Sequence, residues 1–269
     1  MQALKTPAGI IPMFDDLSDL ADHATVNADR AKESDRFAGG SLIQAVKFMR
    51  EGDLSRVKSS NQLLDKFESL AFPTPARAWS DDVCGSIPNV PAFIAGHPLA
   101  MRRRIRQDNT AAPITVFVDL FASASFNHKQ IERRGAAALA LVRILSARRP
   151  VELYLGFSTA NNKNELVCPI VKIDTAPLDL ARGAFALVSP MFLRRPMFVA
   201  AYTHGGGGSL PAYQGDLKAA LAPIFSGSHL LICPRMFGNK QTPTDAWVNP
   251  AAFIDKAIQE AAPELIEAA

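Results

Sequence analysis

The sequence ITVFVDL at residues 114–120 decides the fold of this chain. Its almost unbroken apolar run is typical of a strand buried on both faces of a parallel sheet. A second such run, VELYLGF, follows at residues 151–157. The residues between the two runs, 128–148, have apolar side chains at helical spacing behind a capping box formed by Asn127 and Gln130. Strand, helix and strand in this order predict a parallel βαβ unit.

The same alternation continues toward the C-terminus. It predicts an edge strand over 166–173 that pairs across a turn at 161–164, a helix over 177–188, a short strand over 197–202, a helix over 213–221, a strand over 229–233 and a last helix from residue 249. This order predicts a three-layer, doubly wound and mostly parallel α/β sheet of Rossmann type over residues 110–269. Right-handed crossovers would place the loops after the strands along one edge, where we expect any ligand to bind.

The first 109 residues show no such alternation. Residues 1–40 are polar and predict a flexible arm with at most a short helix near residues 14–20. Residues 41–109 predict a helical and proline-rich segment that wraps the α/β domain. It comprises a pair of helices over 41–50 and 55–70, followed by a stretch in which prolines alternate with large apolar residues.

Composition favours an ordinary globular protein. The chain has 29 basic and 26 acidic side chains, a net charge of +3, which alone indicates neither nucleic acid nor membrane as a partner. Its three cysteines, Cys84, Cys168 and Cys233, are too far apart for a zinc knuckle and predict free thiols. No secretion signal and no apolar stretch of about 20 residues is present, so we expect a soluble, cytoplasmic protein.

The order of elements in residues 110–269 resembles the von Willebrand factor A (VWA) family. In that family, Asp-x-Ser-x-Ser after the first strand, a threonine after a glycine-containing loop and a later aspartate hold a divalent cation. Here Asp119 ends the first strand, but Ser123 and Ser125 follow two residues too late, and Ser209 stands where the family has threonine. Pro234 and Arg235 occupy the place of the later aspartate.

These departures imply a degenerate metal site at Asp119, Ser123, Ser125 and Ser209. Mg²⁺ is the ion that a retained site would bind, because the ligands are hard oxygens. A lengthened loop re-aims the serines, and a cation at Arg235 repels a metal ion. We therefore expect no required cofactor. The alternative is that Asp119 and Ser125 only end the strand and cap the following helix.

The predicted loop edge offers a second set of candidate binding residues: His204, Gly205, Gly206 and Arg235. The glycine run at 205–208 fits neither GxxxxGK[ST] nor GxGxxG, so a hinge competes with ligand contact as its role. No nucleophile, base and orienting group can be assembled from the sequence, and we expect no enzyme activity.

Two segments, GSIPNVPAFIAG at 85–96 and RRGAAALALV at 133–142, are similar to those of uncharacterised proteins of tailed bacteriophages. The resemblance implies a phage-encoded protein of the host-cell cytoplasm or virion, and it implies no activity.

Two functional hypotheses follow. The first is a non-catalytic VWA-like interaction module that binds another protein through the loops at the strand C-termini. The alternative is a nucleic-acid-associated protein that contacts phosphates through its arginine clusters, chiefly Arg102, Arg103, Arg104 and Arg106. Further arginine pairs occur at 133–134, 148–149 and 194–195, although solvated or salt-bridged arginines are their ordinary role.

Overall fold

The computed structural model describes residues 1–57, 79–84, 87–104, 113–146, 149–175, 179–205, 210–237, 242 and 245–261. The chain divides into two compact units, a small one at Phe72–Ala111 and a large one formed by Met1–Ala71 and Ala112–Ala269. The strands are β1 (Gln2–Thr6), β2 (Gly9–Phe14), β3 (Trp79–Asp82), β4 (Ile87–Pro88), β5 (Met101–Arg104), β6 (Ile114–Asp119), β7 (Val151–Gly156), β8 (Thr159–Ala160), β9 (Leu166–Val167), β10 (Ile170–Ile173) and β11 (His229–Cys233).

The α-helices are α1 (Leu17–Val26), α2 (Asp35–Ala38), α3 (Leu42–Glu51), α4 (Val90–Ile94), α5 (His128–Ser146), α6 (Leu180–Val188), α7 (Pro190–Phe192), α8 (Phe198–Gly205), α9 (Leu217–Leu221) and α10 (Pro250–Ala261). A 3₁₀ turn at Ala28–Arg30, a π-helical turn at Leu193–Met197 and helical residues 54–57 are also described.

The large unit contains a mixed eight-stranded sheet flanked by helices, an α/β fold consistent with a Rossmann-like architecture. At one side of the sheet, β11, β6 and β7 are neighbours and all run parallel, with β11 as the outermost strand. Next to them β10 pairs antiparallel with β7 and parallel with β2. Every residue of β6 is buried, which confirms the strand predicted from the apolar run at 114–120.

Helix α5 begins where the sequence predicts. The amide of Gln130 donates to Asn127 Oδ1 at 3.0 Å, and the amide of Asn127 donates to Gln130 Oε1 at 3.1 Å, so the predicted capping box is confirmed. The helix packs on α6 and α10. At Gly135 the contact with α6 is so close that a Cβ atom would lie 2.3 Å from the carbonyl oxygen of Leu187.

The N-terminal segment corrects the sequence analysis, which expected residues 1–40 to form a flexible arm. Instead β1 and β2 form a hairpin, and β2 pairs with β9 and β10 inside the main sheet. Ile11 and Phe14 are almost completely buried, and α1 follows with Asp16 as its N-cap. Apolar side chains of this segment therefore belong to the core.

Two further elements differ from expectation. The predicted edge strand over 166–173 exists as β9 and β10, but it is not at an edge, because β2 pairs along its outer side. Its pairing across the 161–164 turn is confirmed by the β8–β9 ladder. The strand predicted over 197–202 is wrong: these residues end the π-helical turn and begin α8.

The small unit contains a three-stranded antiparallel sheet in the order β3-β5-β4. Helix α4 lies between β4 and β5 in the sequence. The prediction that this segment wraps the large domain stays a prediction. The second helix of the predicted pair falls mostly on residues 58–70, outside the described residues.

Among the described residues, no single helix combines the length and apolar character needed to cross a membrane, although the bent pair Leu180–Val188 and Pro190–Gly205, with a 73° break, meets those criteria when taken together.

Candidate functional site at the carboxyl edge of the sheet

The carboxyl ends of β6, β7 and β11 share one edge of the sheet because these strands are parallel neighbours. The loops after β6 and β11 are joined there by backbone hydrogen bonds. The amide of Ser123 donates to the Met236 carbonyl at 3.0 Å, and the amide of Met236 donates to the Phe121 carbonyl at 2.8 Å. These two loops therefore form one continuous surface rather than independent flaps.

Asp119 lies beneath this surface and is completely buried. Its Oδ1 accepts hydrogen bonds from the amides of Phe121, at 3.0 Å, and Ser158, at 3.3 Å, and its Oδ2 accepts the hydroxyl of Ser158. Both carboxylate oxygens are thus held by donors of the chain itself. The aspartate therefore connects the loop after β6 to the loop after β7. Its position at the end of a strand does not by itself predict these bonds.

A buried arginine accompanies this carboxylate. Arg134, on α5, donates from Nη1 to the backbone carbonyl of Asp119 at 3.2 Å and to that of Phe121 at 3.4 Å. Burial lowers the pKa of Arg134 to about 10, and the charge of Asp119 opposes that shift. Burial likewise raises the pKa of Asp119, which the Ser158 hydrogen bond counteracts.

The predicted serine ligands lie apart from these bonds. Ser125 is exposed and donates its hydroxyl to Ser123 Oγ at 3.2 Å, and neither hydroxyl bonds to Asp119. Ser209, the fourth candidate, lies outside the described residues. No group of three or more His, Cys, Asp or Glu side chains suited to a metal ion occurs in the part of the chain that the structure describes. The degenerate metal site stays a prediction.

An aromatic group follows β11 at the same edge. Phe237 is 49% exposed and meets the buried ring of Phe121 edge-on, with ring centres 5.9 Å apart. Phe121 in turn stacks on Phe157 at 5.6 Å, and the guanidinium of Arg235 lies 5.6 Å from the centre of the Phe237 ring. We call Arg235 and Phe237 the edge patch. The sequence analysis named Arg235 and missed Phe237, although an aromatic residue two positions after a strand-end arginine was visible.

Arg235 is held by the main chain and forms no direct ion pair with the described carboxylates. Its Nη1 donates to the backbone carbonyl of Tyr213, and its charge opposes the rise in the pKa of the buried Asp119. It therefore presents a positive charge beside an exposed aromatic ring.

His204 and Gly205 have different surroundings from Arg235. His204 ends α8 and stacks on His23 of α1, with ring centres 5.7 Å apart. A Cβ atom at Gly205 would lie 3.2 Å from the Val167 side chain, so this glycine permits close packing of α8 on β9. Gly206 lies outside the described residues. The candidate binding residues predicted at the loop edge therefore lie in two different places, with Arg235 after β11 and His204 and Gly205 on α8.

Most of the described arginine pairs serve the interior. Arg134, Arg194 and Arg195 are buried, and Arg133 donates to the carbonyl of Trp247 at 3.4 Å. In the small unit, Arg102 forms an exposed ion pair with Asp81 at 3.3 Å. The side chains of Arg103 and Arg104 and the whole of Arg106 are outside what the structure describes. The nucleic-acid alternative stays a prediction.

Comparison with known proteins gives one finding of membership. The model of a domain family of unknown function, DUF7192, matches residues 4–212, more than half of the chain, so the chain belongs to this family. No curated protein matches it. No solved structure matches it either. The matched stretch begins within β1, includes β2 to β10 and ends before α9 and β11.

Proposed function

We propose that this member of the DUF7192 family is a non-catalytic interaction module that binds another protein through the carboxyl-edge loops of β6, β7 and β11. The observation that carries the proposal is the edge patch. An aromatic side chain that remains half exposed on an aromatic support, next to an arginine, is the composition enriched at protein interfaces.

The support beneath the patch lowers the cost of binding. Phe237 packs against Phe121. The ring of Phe121 stacks on Phe157, and its backbone carbonyl accepts a hydrogen bond from the amide of Met236. A side chain that is already ordered loses little conformational entropy when a partner covers it. The partner surface that fits is an apolar group for Phe237 with a carboxylate for Arg235, since charge complementarity sets orientation.

The resemblance to VWA domains adds to this proposal, since those modules use the same sheet edge. Here the binding would proceed without a metal ion, because the Asp119 oxygens are engaged by Phe121 and Ser158. The resemblance to tailed-phage proteins makes the cytoplasm of an infected cell, or the virion, the proposed location.

The test uses the full chain with a photo-crosslinking phenylalanine analogue at position 237, and at position 43 as a control. Ile43 is 84% exposed on α3, far from the edge loops in the chain. We expect a partner protein to be crosslinked to the chain by the analogue at position 237 and not by the analogue at position 43. Its purified form should bind about 30-fold more weakly to Phe237→Ala, the loss for a hot-spot side chain worth about 2 kcal/mol.

Two controls decide the interpretation. Ile43→Ala should bind as the unchanged protein does, and EDTA should leave binding unaltered. A partner that binds Phe237→Ala with full affinity contradicts the proposal, as does binding that EDTA abolishes. Binding of a DNA or RNA probe that weakens steeply with salt and with Arg102→Glu would instead support the nucleic-acid alternative.

A further inference from the structure

A separate cleft of about 530 Å³ opens between the α2 segment and the first turn of α5. Its polar lining consists of Ser34, Arg36, Asn127, His128 and Arg194, and none of its lining residues is acidic. The cleft is broad and largely open to solvent. We call this feature the α2–α5 cleft, and all of its lining residues lie within the stretch matched by the family model.

Arg194 is the most unusual member of the lining. It is only 4% exposed, and burial lowers its pKa. Nη1 donates to the Phe37 carbonyl at 2.7 Å, and the guanidinium lies 4.1 Å from the centre of the Phe37 ring. Its other N–H groups bond to nothing in the described residues, and no carboxylate there pairs with it. A buried cation without a counter-ion is costly unless an anion joins it.

The local backbone explains how this arginine comes to be buried. Arg194 lies in the π-helical turn at Leu193–Met197, which contains Pro196. Such turns widen a helix by one residue and are frequent at functional sites. The turn contains two consecutive buried arginines, and the second one is neutralised, because Arg195 pairs with Asp35.

The N-terminus of a long helix, which is the positive end of the helix dipole, also borders the cleft. Helix α5 has 19 residues. Of the lining residues, Asn127 directly precedes the helix and His128 is its first residue. The backbone amides of His128 and Lys129 have no acceptor in the described part of the chain. Unpaired amides and the helix dipole at such an end favour an anion.

The nearby acids Asp35 and Glu33 do not line the cleft. Asp35 pairs with Arg195, and Glu33 accepts the Tyr202 hydroxyl at 2.8 Å. Arg36 is exposed at the cleft and forms no ion pair with the described residues. Two guanidinium groups and a helix N-terminus therefore face a space without a protein carboxylate.

We propose that the α2–α5 cleft binds the phosphate group of a small phosphomonoester. A guanidinium matches two phosphate oxygens at once, and a helix N-terminus supplies amide donors to a third. The cleft is larger than a bare phosphate requires, and the rings of Phe37 and Phe126 in its lining offer an apolar surface for the organic part. This site is independent of the edge patch.

The test is calorimetric titration of the full chain with phenyl phosphate, inorganic phosphate and benzoate at constant ionic strength. We expect one saturable site for phenyl phosphate, with weaker binding of inorganic phosphate and of benzoate. Arg36→Glu should weaken phenyl phosphate binding at least tenfold. The matched control is Arg30→Glu, the same charge reversal at a residue outside the lining, whose ion pair among the described residues is with Asp29.

Circular dichroism of both variants should match that of the unchanged protein, because Arg30 and Arg36 are exposed. Absence of saturable binding overturns the proposal, as does benzoate binding as tightly as phenyl phosphate, or equal weakening by both charge reversals. Arg36→Glu should leave partner binding at the edge patch unchanged, so the two proposals can fail separately.

Discussion

At the scale of single residues, the stacked pair of His23 and His204 predicts a dependence of stability on pH. Both Nε2 atoms are buried, and neither has a hydrogen-bond partner in the part of the chain that the structure describes. Burial lowers the pKa of both imidazoles, and for His23 the neighbouring His204 lowers it further while Asp19 opposes. As pH falls below about 6.5, the unfolded chain takes up protons that the folded chain does not. The free energy of unfolding should therefore decrease as the pH falls through this range.

His23→Phe removes one of these protonation sites and keeps an aromatic ring between Phe14 and His204. We expect the loss of unfolding free energy between pH 7.5 and pH 5.5 to be smaller in this variant, measured by urea denaturation. His229→Phe, at an exposed histidine of β11, is the control. An equal reduction in both variants would show that the stacked pair is not the cause.

Asp119 shows what the sequence could and could not predict about a side chain. The run at 114–120 placed it correctly at the end of a buried strand. Its hydrogen bonds from Ser158 could not be predicted, because the residue after β7 that meets it is 39 positions along the chain. The unneutralised charge of Arg194 was equally hidden, since it depends on the fold of residues 33–40.

At the scale of elements, the close contact between α5 and α6 predicts that replacing a helical glycine by alanine destabilises the protein. Gly135→Ala should stabilise an isolated helix by about 1 kcal/mol. In the protein, the added Cβ would lie 2.3 Å from the Leu187 carbonyl oxygen, and backbone atoms cannot yield cheaply. We expect a net loss of about 1–3 kcal/mol in the free energy of unfolding.

The matched control for Gly135→Ala is Ser146→Ala, at an exposed position of the same helix. It should gain a few tenths of a kcal/mol or stay unchanged. Urea denaturation of both variants measures the difference. If Gly135→Ala raises the urea midpoint, the two helices are not in the close contact described.

Elements with strong local signals were predicted, and those set by distant partners were not. Helix α5 has its capping box and β6 its apolar run, so both began where expected. The apolar stretch at 197–202 carries no periodicity that separates a strand from a buried helix. It became α8 because a helical run that starts at Pro190 continues into it through the π-helical turn.

At the scale of the whole molecule, the N-terminal hairpin was missed for a physical reason. Pro12 argues against a central strand, because it has no amide to donate. The structure accommodates it: β2 pairs with β9 at residues 9–10 and with β10 at residues 13–14, so Pro12 falls between the two ladders. The sequence alone does not show that residues 9–14 will pair with a strand so far along the chain.

This arrangement makes the N-terminus part of the main cooperative unit, and Ile11 tests it. Ile11 is fully buried in the cluster that includes Phe117, Tyr154 and Leu221. Ile11→Ala should lower the free energy of unfolding by about 2–5 kcal/mol, the cost of a cavity in a packed core. Lys5→Ala, at an exposed position of β1, should change it by less than about 0.5 kcal/mol. A flexible arm would give near-zero values for both, so urea denaturation distinguishes the two descriptions.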